Sequence, residues 1–195
     1  MKEFFSHIRG AVVSTLALAV VCCGFYPLVV FGISQLLFGY QANGSLITAA
    51  DGTVRGSKLL GQAFSDAKYF HPRPSSAGNG YDAIGSGGSN LGPTSRKLSD
   101  AIKERVAVYR VENGLSGTEA VPADAVTASG SGLDPDISLR NAELQVPRVS
   151  KARGLSEEKV REFVQRNTNG RDLGVFGEPR VNVLQVNLAL DQQHR

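Results

Sequence analysis

Residues 127–145, TASGSGLDPDISLRNAELQ, combine residue types that do chemistry in other proteins. Ser129 and Ser131 stand between small residues, as a nucleophilic serine on a tight turn does. Neither has the G-x-S-x-G pattern, because Ser129 stands two residues before Ser131 and Thr127 two residues before Ser129. A serine nucleophile also needs a base, and His71 is the one histidine that is neither penultimate nor ahead of the long apolar segment. We therefore predict no hydrolase site and no catalytic residues.

The acidic and glycine-rich stretches raise the question of a metal or phosphate site. Asp134 and Asp136 flank a proline and resemble half of a calcium loop, but the D-x-D-x-D-G pattern with its distant glutamate is missing. Residues 85–90, GSGGSN, have the composition of a backbone anion cradle, although a flexible turn explains them better. The sequence contains neither G-x-x-x-x-G-K-[ST] nor D-K-T-G. We predict no directly bound metal or cofactor.

The stretch from Thr127 is more typical of a rigid turn that leads into a helix. Its glycines permit backbone angles that other residues resist, and Ser138 can cap the following helix. On that helix Leu139, Ala142 and Val146 share one face, so the polar side chains fall elsewhere. A polar fringe on a rigid element suits hydrogen bonding to another subunit, and plain solvation is the alternative. The residues assigned to this interface are Gly130, Gly132, Asp134, Arg140, Gln145 and Arg148.

A long uncharged segment near the N-terminus predicts a membrane anchor. Residues 10–50 contain no Asp, Glu, Lys or Arg, and residues 11–38 are almost wholly apolar. This length exceeds the roughly 20 residues that cross a bilayer as a helix, and we expect kinks at Gly24, Pro27 and Gly32. A cleaved signal peptide has a shorter apolar region; it and a buried soluble helix are the alternatives.

Flanking charges predict the orientation of the anchor. Lys2 and Arg9 precede it, and the next basic residue is Arg55. The positive-inside bias then keeps the N-terminus in the cytoplasm of a bacterial cell and places the remainder in the periplasm. The predicted organisation is a cytoplasmic N-terminus (1–10), an inner-membrane helix (11–38), a tether (39–55) and a periplasmic domain (56–195). Within the helix, Gly24, Gly32 and Ser34 permit close packing on a partner helix.

Charge argues against a nucleic-acid partner. The chain has 21 basic and 18 acidic residues, and leaving out Lys2, Arg9 and Glu3 reduces the net charge from +3 to +2. Both signs are interspersed, so no basic face is indicated.

The remainder predicts a mixed α/β (α+β) domain carried on the single membrane helix. Gly, Ser, Pro and Asn dominate residues 66–95, which we expect to be loop. The predicted elements are a helix after Pro93 that ends near Asn113, a strand at 125–128, a helix at 137–153 with a break near Pro147, a helix capped by Ser156, and a closing strand at 180–190.

Six motifs occur in order behind the apolar segment: GSKLLGQAF, YFHPRPS, GGSNLGPTS, VTASGSGLDPDIS, LQVPRVSKARGL and GEPRVNVLQVNLALD. Together they resemble the KdpC family, the C subunits of the bacterial Kdp high-affinity potassium-transporting ATPase. The resemblance implies a non-catalytic accessory subunit. It also implies partners, a channel-like subunit for potassium and a P-type subunit that hydrolyses ATP, which handle both ligands.

In that family the C subunit is described as a catalytic chaperone that raises the ATP affinity of the pumping subunit. The predicted topology places the domain across the membrane from ATP, which excludes direct contact between the two. The alternative function is a membrane-anchored periplasmic module that binds a ligand or partner and is not tied to a pump; co-purification separates the two.

Overall fold

The computed structural model describes residues 2–49 and 51–193. The chain divides into two compact units, with the boundary after Leu46.

The first unit is dominated by a long apolar helix. It begins with α1 (Lys2–Ala19), continues through a π-helical segment (Val20–Phe25) and ends with α2 (Tyr26–Leu37); a short α3 (Gly39–Ala42) follows. The 35 residues from Glu3 to Leu37 have a mean hydropathy of 2.4 in their most apolar part. At 1.5 Å per residue they span about 50 Å, enough to cross a membrane.

Pro27 explains the π-helical segment. Proline has no N–H to donate and its ring collides with the carbonyl one turn earlier. The backbone ahead of it widens over Val20–Phe25, and the N–H of Tyr26 donates to the carbonyl of Val21, five residues back. The predicted interruption near Gly24 and Pro27 is therefore a widened turn inside a continuous helix.

The described part of the second unit, together with Leu46 just before it, contains two small sheets. Strands β1 (Leu46–Thr48) and β2 (Val54–Ser57) form one. The other is antiparallel with order β3-β5-β4, built from β3 (Asp136–Ser138), β4 (Thr168–Asn169) and β5 (Arg180–Asn182). Ile137 pairs with Val181, so the central strand joins segments that are distant in sequence.

Within residues 51–193 the unit also has five helices: α4 (Arg96–Glu112), α5 (Ala123–Val126), α6 (Leu139–Arg153), α7 (Glu157–Arg166) and α8 (Val183–Gln192). Four of them start at a side-chain cap, in which Ser95, Ser138, Ser156 or Asn182 accepts from the N–H three residues ahead. Both predicted serine caps, at 138 and 156, are confirmed.

The core lies where α6, α7 and α8 pack against the three-stranded sheet. Its buried members are Phe70, Ile137, Ala142, Val146, Val149, Val160, Val164, Val181, Val183, Val186 and Leu190. Phe70 enters from the long loop, residues 58–95, which contains neither helix nor strand. The prediction of loop for residues 66–95 is confirmed.

Three local predictions are wrong. Residues 180–190 form a short strand and then α8, because Asn182 caps a helix whose buried Val183, Val186 and Leu190 follow helical spacing. Residues 123–126 are helical, so the predicted strand at 125–128 does not form. Helix α6 runs through Pro147 without a break; the proline is exposed, where a carbonyl without its donor can bond to water.

Candidate functional site

The stretch that begins at Thr127 is a docking point for other loops of the same chain. The N–H of Gly61 donates to the carbonyl of Leu133 at 2.8 Å. The N–H of Gly87 donates to the carbonyl of Ser131 at 2.8 Å, and Ser86 Oγ donates to the same oxygen at 3.0 Å. Its polar backbone groups therefore stabilise the fold.

Gly132 is the most constrained residue of this stretch. Its φ of +68° lies in the left-handed region. A Cβ there would come within 2.6 Å of the Ala77 nitrogen and 2.6 Å of the Gly87 carbonyl oxygen. The glycine is therefore required both by conformation and by lack of space.

Ser129 and Ser131 do not meet a histidine. Their hydroxyl oxygens lie 3.4 Å from each other. His71 belongs to a different network, in which its Nδ1 lies 3.6 Å from a Glu112 carboxylate oxygen and its Nε2 3.4 Å from Arg148 Nη1. The described contacts assemble no nucleophile–base pair from these residues.

The two aspartates are neutralised by arginines. Arg73 Nη1 donates to Asp134 at 2.7 Å, and Arg180 Nε lies 3.0 Å from Asp136. Asn182 Nδ2 also donates to Asp136, at 3.1 Å. Burial raises the pKa of the Asp136 carboxyl, and the bond from Asn182 opposes that rise. Among the described residues, no group of three or more His, Cys, Asp or Glu side chains could hold a metal.

Two backbone N–H groups of the glycine-rich residues 85–90 donate hydrogen bonds to carbonyls of the same chain. Gly85 donates its N–H to the carbonyl of Asp82 at 3.2 Å, and Gly87 donates to Ser131. Both amides are therefore occupied, which argues against an anion cradle.

Two buried amides clamp the segment that we call the strap, residues 66–74. Gln145 on α6 accepts from the His71 N–H at 2.7 Å and donates to the His71 carbonyl at 3.1 Å. Asn187 on α8 likewise accepts from the Phe70 N–H at 2.8 Å and donates to the Phe70 carbonyl at 3.0 Å. Each amide thereby replaces a strand neighbour for one residue of the strap, which lets Phe70 enter the core with its backbone satisfied.

Two arginines of α6 hold the strap from its other carbonyls. Arg148 Nη1 donates to Ala67 at 2.7 Å and to Tyr69 at 2.9 Å. Arg153 donates through Nε to the carbonyl of Lys68 at 2.7 Å. The planar guanidinium suits this task, because its five donors point in fixed directions.

A small cavity of about 160 Å³, lined by apolar and polar side chains, lies beside the clamp. Its lining includes His71, Tyr109, Glu112, Asn141 and Gln145. Burial lowers the pKa of the imidazole, the nearby Arg148 lowers it further, and the Glu112 carboxylate opposes both. Tyr109 donates to Asn141 Oδ1 at 2.8 Å, and burial raises its phenol pKa. The polar groups of this cavity thus bond to one another.

The expected polar fringe of α6 is partly wrong. Gln145 and Asn141 are 1% exposed, because both serve the chain's interior. Arg148 is half-buried in the strap network, whereas the Arg140 side chain is 61% exposed and pairs with Glu119 at 3.1 Å. An interface role therefore stays a prediction for the accessible members of the set, chiefly Arg140 and Gly130.

Of the interface set, the structure brings Gln145 and Arg148 together, with Arg148 Nη2 donating to Gln145 Oε1 at 2.6 Å. Asp134 lies in the turn that follows Gly132 and bonds to Arg73 of the strap. Sequence reasoning missed Asn187 and Arg153, whose roles depend on partners more than 80 residues away.

The anchor residues assigned to helix packing lie on accessible surface in the first unit. An added Cβ at Gly24 or Gly32 would meet no atom within 4 Å. Gly24, Gly32 and Ser34 are each partly exposed. The role of Gly24, Gly32 and Ser34 in packing stays a prediction.

Comparison with known proteins identifies the family. The family model described as "KdpC: K+-transporting ATPase, c chain" matches residues 8–192. The potassium-transporting ATPase KdpC subunit of Mycobacterium tuberculosis (strain ATCC 25618 / H37Rv) is 56% identical over 186 residues, covering 95% of this chain and 98% of that protein. The chain belongs to the KdpC family.

Other relatives cover the chain to a similar extent. The proteins of the same name from Acidobacterium capsulatum and Koribacter versatilis are 52% and 48% identical. Each match covers 97% of this chain, and 100% and 94% of the relative. The resemblance to the KdpC family is confirmed, and with it the prediction of a non-catalytic subunit of a potassium-transporting ATPase complex.

Proposed function

We propose that the chain acts as an accessory subunit of an ATP-driven, high-affinity potassium uptake complex. Its partners are a channel-like subunit that conducts potassium and a P-type subunit that hydrolyses ATP. Besides membership of the family, the proposal is supported by the contacts of the residues that were candidates for catalysis. His71, the candidate base, lies against Arg148 and Glu112, and the hydroxyls of Ser129 and Ser131, the candidate nucleophiles, lie against each other.

The chain assembles or stabilises the complex and raises the ATP affinity of the P-type subunit. The N-terminus lies in the cytoplasm and the second unit in the periplasm, since Lys2 and Arg9 are the basic residues that flank the anchor closely. ATP lies on the cytoplasmic side. The effect on ATP affinity therefore passes through the anchor helix or its short N-terminus, without contact between the second unit and nucleotide.

Purification of the complex tests this function. The full chain is expressed with the other subunits of its transporter, purified in mild detergent through a tag on this chain, and weighed by intact-complex mass spectrometry. We expect partners in a fixed ratio and a lower ATP requirement than in a preparation without this chain. Recovery of the chain alone would contradict the proposal and favour the independent binding module.

Orientation is tested by thiol labelling in intact spheroplasts. Cys22 and Cys23 are first replaced by alanine, and a single cysteine is placed at Ile84, which is 98% exposed. We expect an impermeant thiol reagent to label this position from outside, and to label a cysteine at Lys2 only after the membrane is broken. The reverse pattern would overturn the periplasmic assignment.

The anchor is proposed to dock on a partner helix. Gly24, Gly32 and Ser34 offer small, accessible surfaces, which allow helices to approach closely in lipid. A poly-leucine helix in place of residues 11–38 should insert in the membrane yet fail to co-purify with the partners. Full assembly with that helix would refute specific docking.

A further inference from the structure

One loop of the second unit, residues 170–178, presents three neighbouring apolar side chains to solvent, and we call it the apolar loop. Leu173 is 90% exposed, Val175 70% and Phe176 65%. Adjacent exposed apolar residues of this size mark interaction surfaces more often than chance exposure does. The loop has no part in the strap or the core described above.

The apolar loop is held in shape at its base. Asp172 donates its N–H to the Phe176 carbonyl at 2.8 Å, and the N–H of Phe176 returns a bond at 2.9 Å. Arg171 Nη2 donates to both carboxylate oxygens of Glu178, at 2.9 and 2.8 Å. The tip is therefore presented by a closed hairpin, which lowers the entropy that binding would otherwise cost.

Leu173 occupies an unfavourable backbone conformation. Its φ is +54°, in the left-handed region, where a residue with a Cβ is strained. Because its side chain is almost fully exposed, packing within the described chain does not offset this strain. Strain of this kind is typical of positions that a binding partner uses.

A depression of about 600 Å³ adjoins the apolar loop. Leu59, itself 59% exposed, and Leu173 lie on its lining. The charged groups at the depression and the loop base are Lys58, Arg171 and Arg180 against Asp136, Asp172 and Glu178. The two signs balance, so the surface has an apolar rim without a net charge.

We propose that the apolar loop and the rim at Leu59 dock on another chain of the transport complex, at an uncharged apolar segment outside the membrane. This inference rests on the proposed function. Balanced charge disfavours attraction to an anionic membrane, which needs an excess of basic residues. Four apolar side chains also offer far less than the roughly 800 Å² per partner that a stable free dimer buries.

The anchor explains how so small a surface suffices. A chain already held in the membrane beside its partner binds a second site at high effective concentration. The apolar loop then needs only to fix the position of the second unit on the complex. A second copy of this chain or a lipid surface remains an outcome of the test.

Site-specific photo-crosslinking tests the proposal in the full complex. A photoreactive amino acid is placed at Val175, and in a matched control at Ile84, which is 98% exposed but lies in a different loop. We expect a crosslink from position 175 to another chain of the transporter and none from position 84. A crosslink to a second copy of this chain, to lipid alone, or to nothing would overturn the proposal.

A paired substitution gives an independent measurement. Val175→Ser with Phe176→Ser should reduce co-purification of the partners at matched detergent by about tenfold, as loss of a central apolar contact does. Ile84→Ser should leave it unchanged. Absence of partners with the unmodified chain would refute the proposed function itself, whereas equal recovery with the double variant would refute only the docking of this loop.

Discussion

Two loops of the second unit each hold a residue in the left-handed backbone region, with opposite surroundings. In the turn that follows Thr127, Gly132 has a φ of +68° and no room for a Cβ. In the apolar loop, Leu173 has a φ of +54° and a side chain that is 90% exposed. The first loop is enclosed by its own chain, and the second is presented away from it.

The residue types that do chemistry in other proteins and the exposed apolar side chains lie in different loops of the molecule. The turn after Thr127 contains serines, aspartates and glycines, yet its groups bond to loops that dock on it. The apolar loop contains no catalytic residue type at its tip, yet it presents three adjacent apolar side chains that are exposed in the described chain. Function in an accessory subunit is therefore expected at apolar, strained surface and not at satisfied polar groups.

The largest expected effect tests the enclosed loop. Gly132→Val adds a Cβ that collides with the Ala77 nitrogen and the Gly87 oxygen, and it forces a β-branched residue to a positive φ. We expect a loss of about 3–5 kcal/mol in the free energy of unfolding, measured by urea unfolding of the full chain in detergent. Gly130→Ala is the control, since a Cβ at Gly130 meets no atom within 4 Å; an equal loss there would contradict the argument.

The next effect concerns the clamp on the strap. Gln145→Leu keeps the volume but leaves the N–H and carbonyl of His71 without their partners in a site that is 1% exposed. We expect a loss of about 2–4 kcal/mol in the free energy of unfolding, in place of the near-zero effect that a surface position would show. Arg140→Ala, at an exposed ion pair, should change stability by less than about 0.5 kcal/mol.

The features that could be predicted from the sequence are those set by residues close together in the chain. The caps at Ser138 and Ser156 follow from a side chain and an N–H three residues away. Prediction failed where the deciding contact is distant: Gln145 meets His71 across 74 residues, and Asn187 meets Phe70 across 117. A buried glutamine and an exposed one have the same local pattern, so the polar fringe of α6 was overestimated.

The prediction of a closing strand at residues 180–190 was wrong for a different reason. Residues 180–190 are apolar and rich in valine, which favours a strand, and the same residues place Val183, Val186 and Leu190 on one helical face. Asn182 decides between the two by capping α8. For the candidate site, the sequence motifs identified the family, but exposure of individual residues required the folded chain.

A pH dependence tests the electrostatics beside the clamp. Burial and then Arg148 lower the folded-state pKa of His71 below its ordinary value of 6.5. Between these two pKa values the unfolded chain binds a proton that the folded chain does not, so stability falls as the pH drops below about 6.5. We expect the free energy of unfolding to fall between about pH 7.5 and about pH 5.5, and to fall less in the His71→Gln variant.

The carboxyl of Asp136 contributes to the pH dependence of stability with the opposite sign. Its folded-state pKa is raised from 3.8 by burial, so the folded chain takes up a proton first and gains stability as the pH falls through that raised value. A His71→Gln chain that kept the full loss above about pH 5.5 would place the titration elsewhere than at the imidazole.

The smallest effect on folding, and the sharpest test of the comparison, is Leu173→Gly. Glycine adopts a φ of +54° without the strain of a Cβ, while its greater freedom in the unfolded chain offsets part of that gain. Because the leucine side chain is 90% exposed, little burial is lost. We expect the free energy of unfolding to rise slightly, by at most about 1 kcal/mol, because the strain at residue 173 is relieved.

Co-purification with the partners should fall in the same variant. This divergence is what separates the two loops, because at Gly132 a substitution weakens folding first and assembly only as a consequence. A marked loss of stability in Leu173→Gly would show that the leucine serves the fold, and the distinction between enclosed and presented loops would then fail.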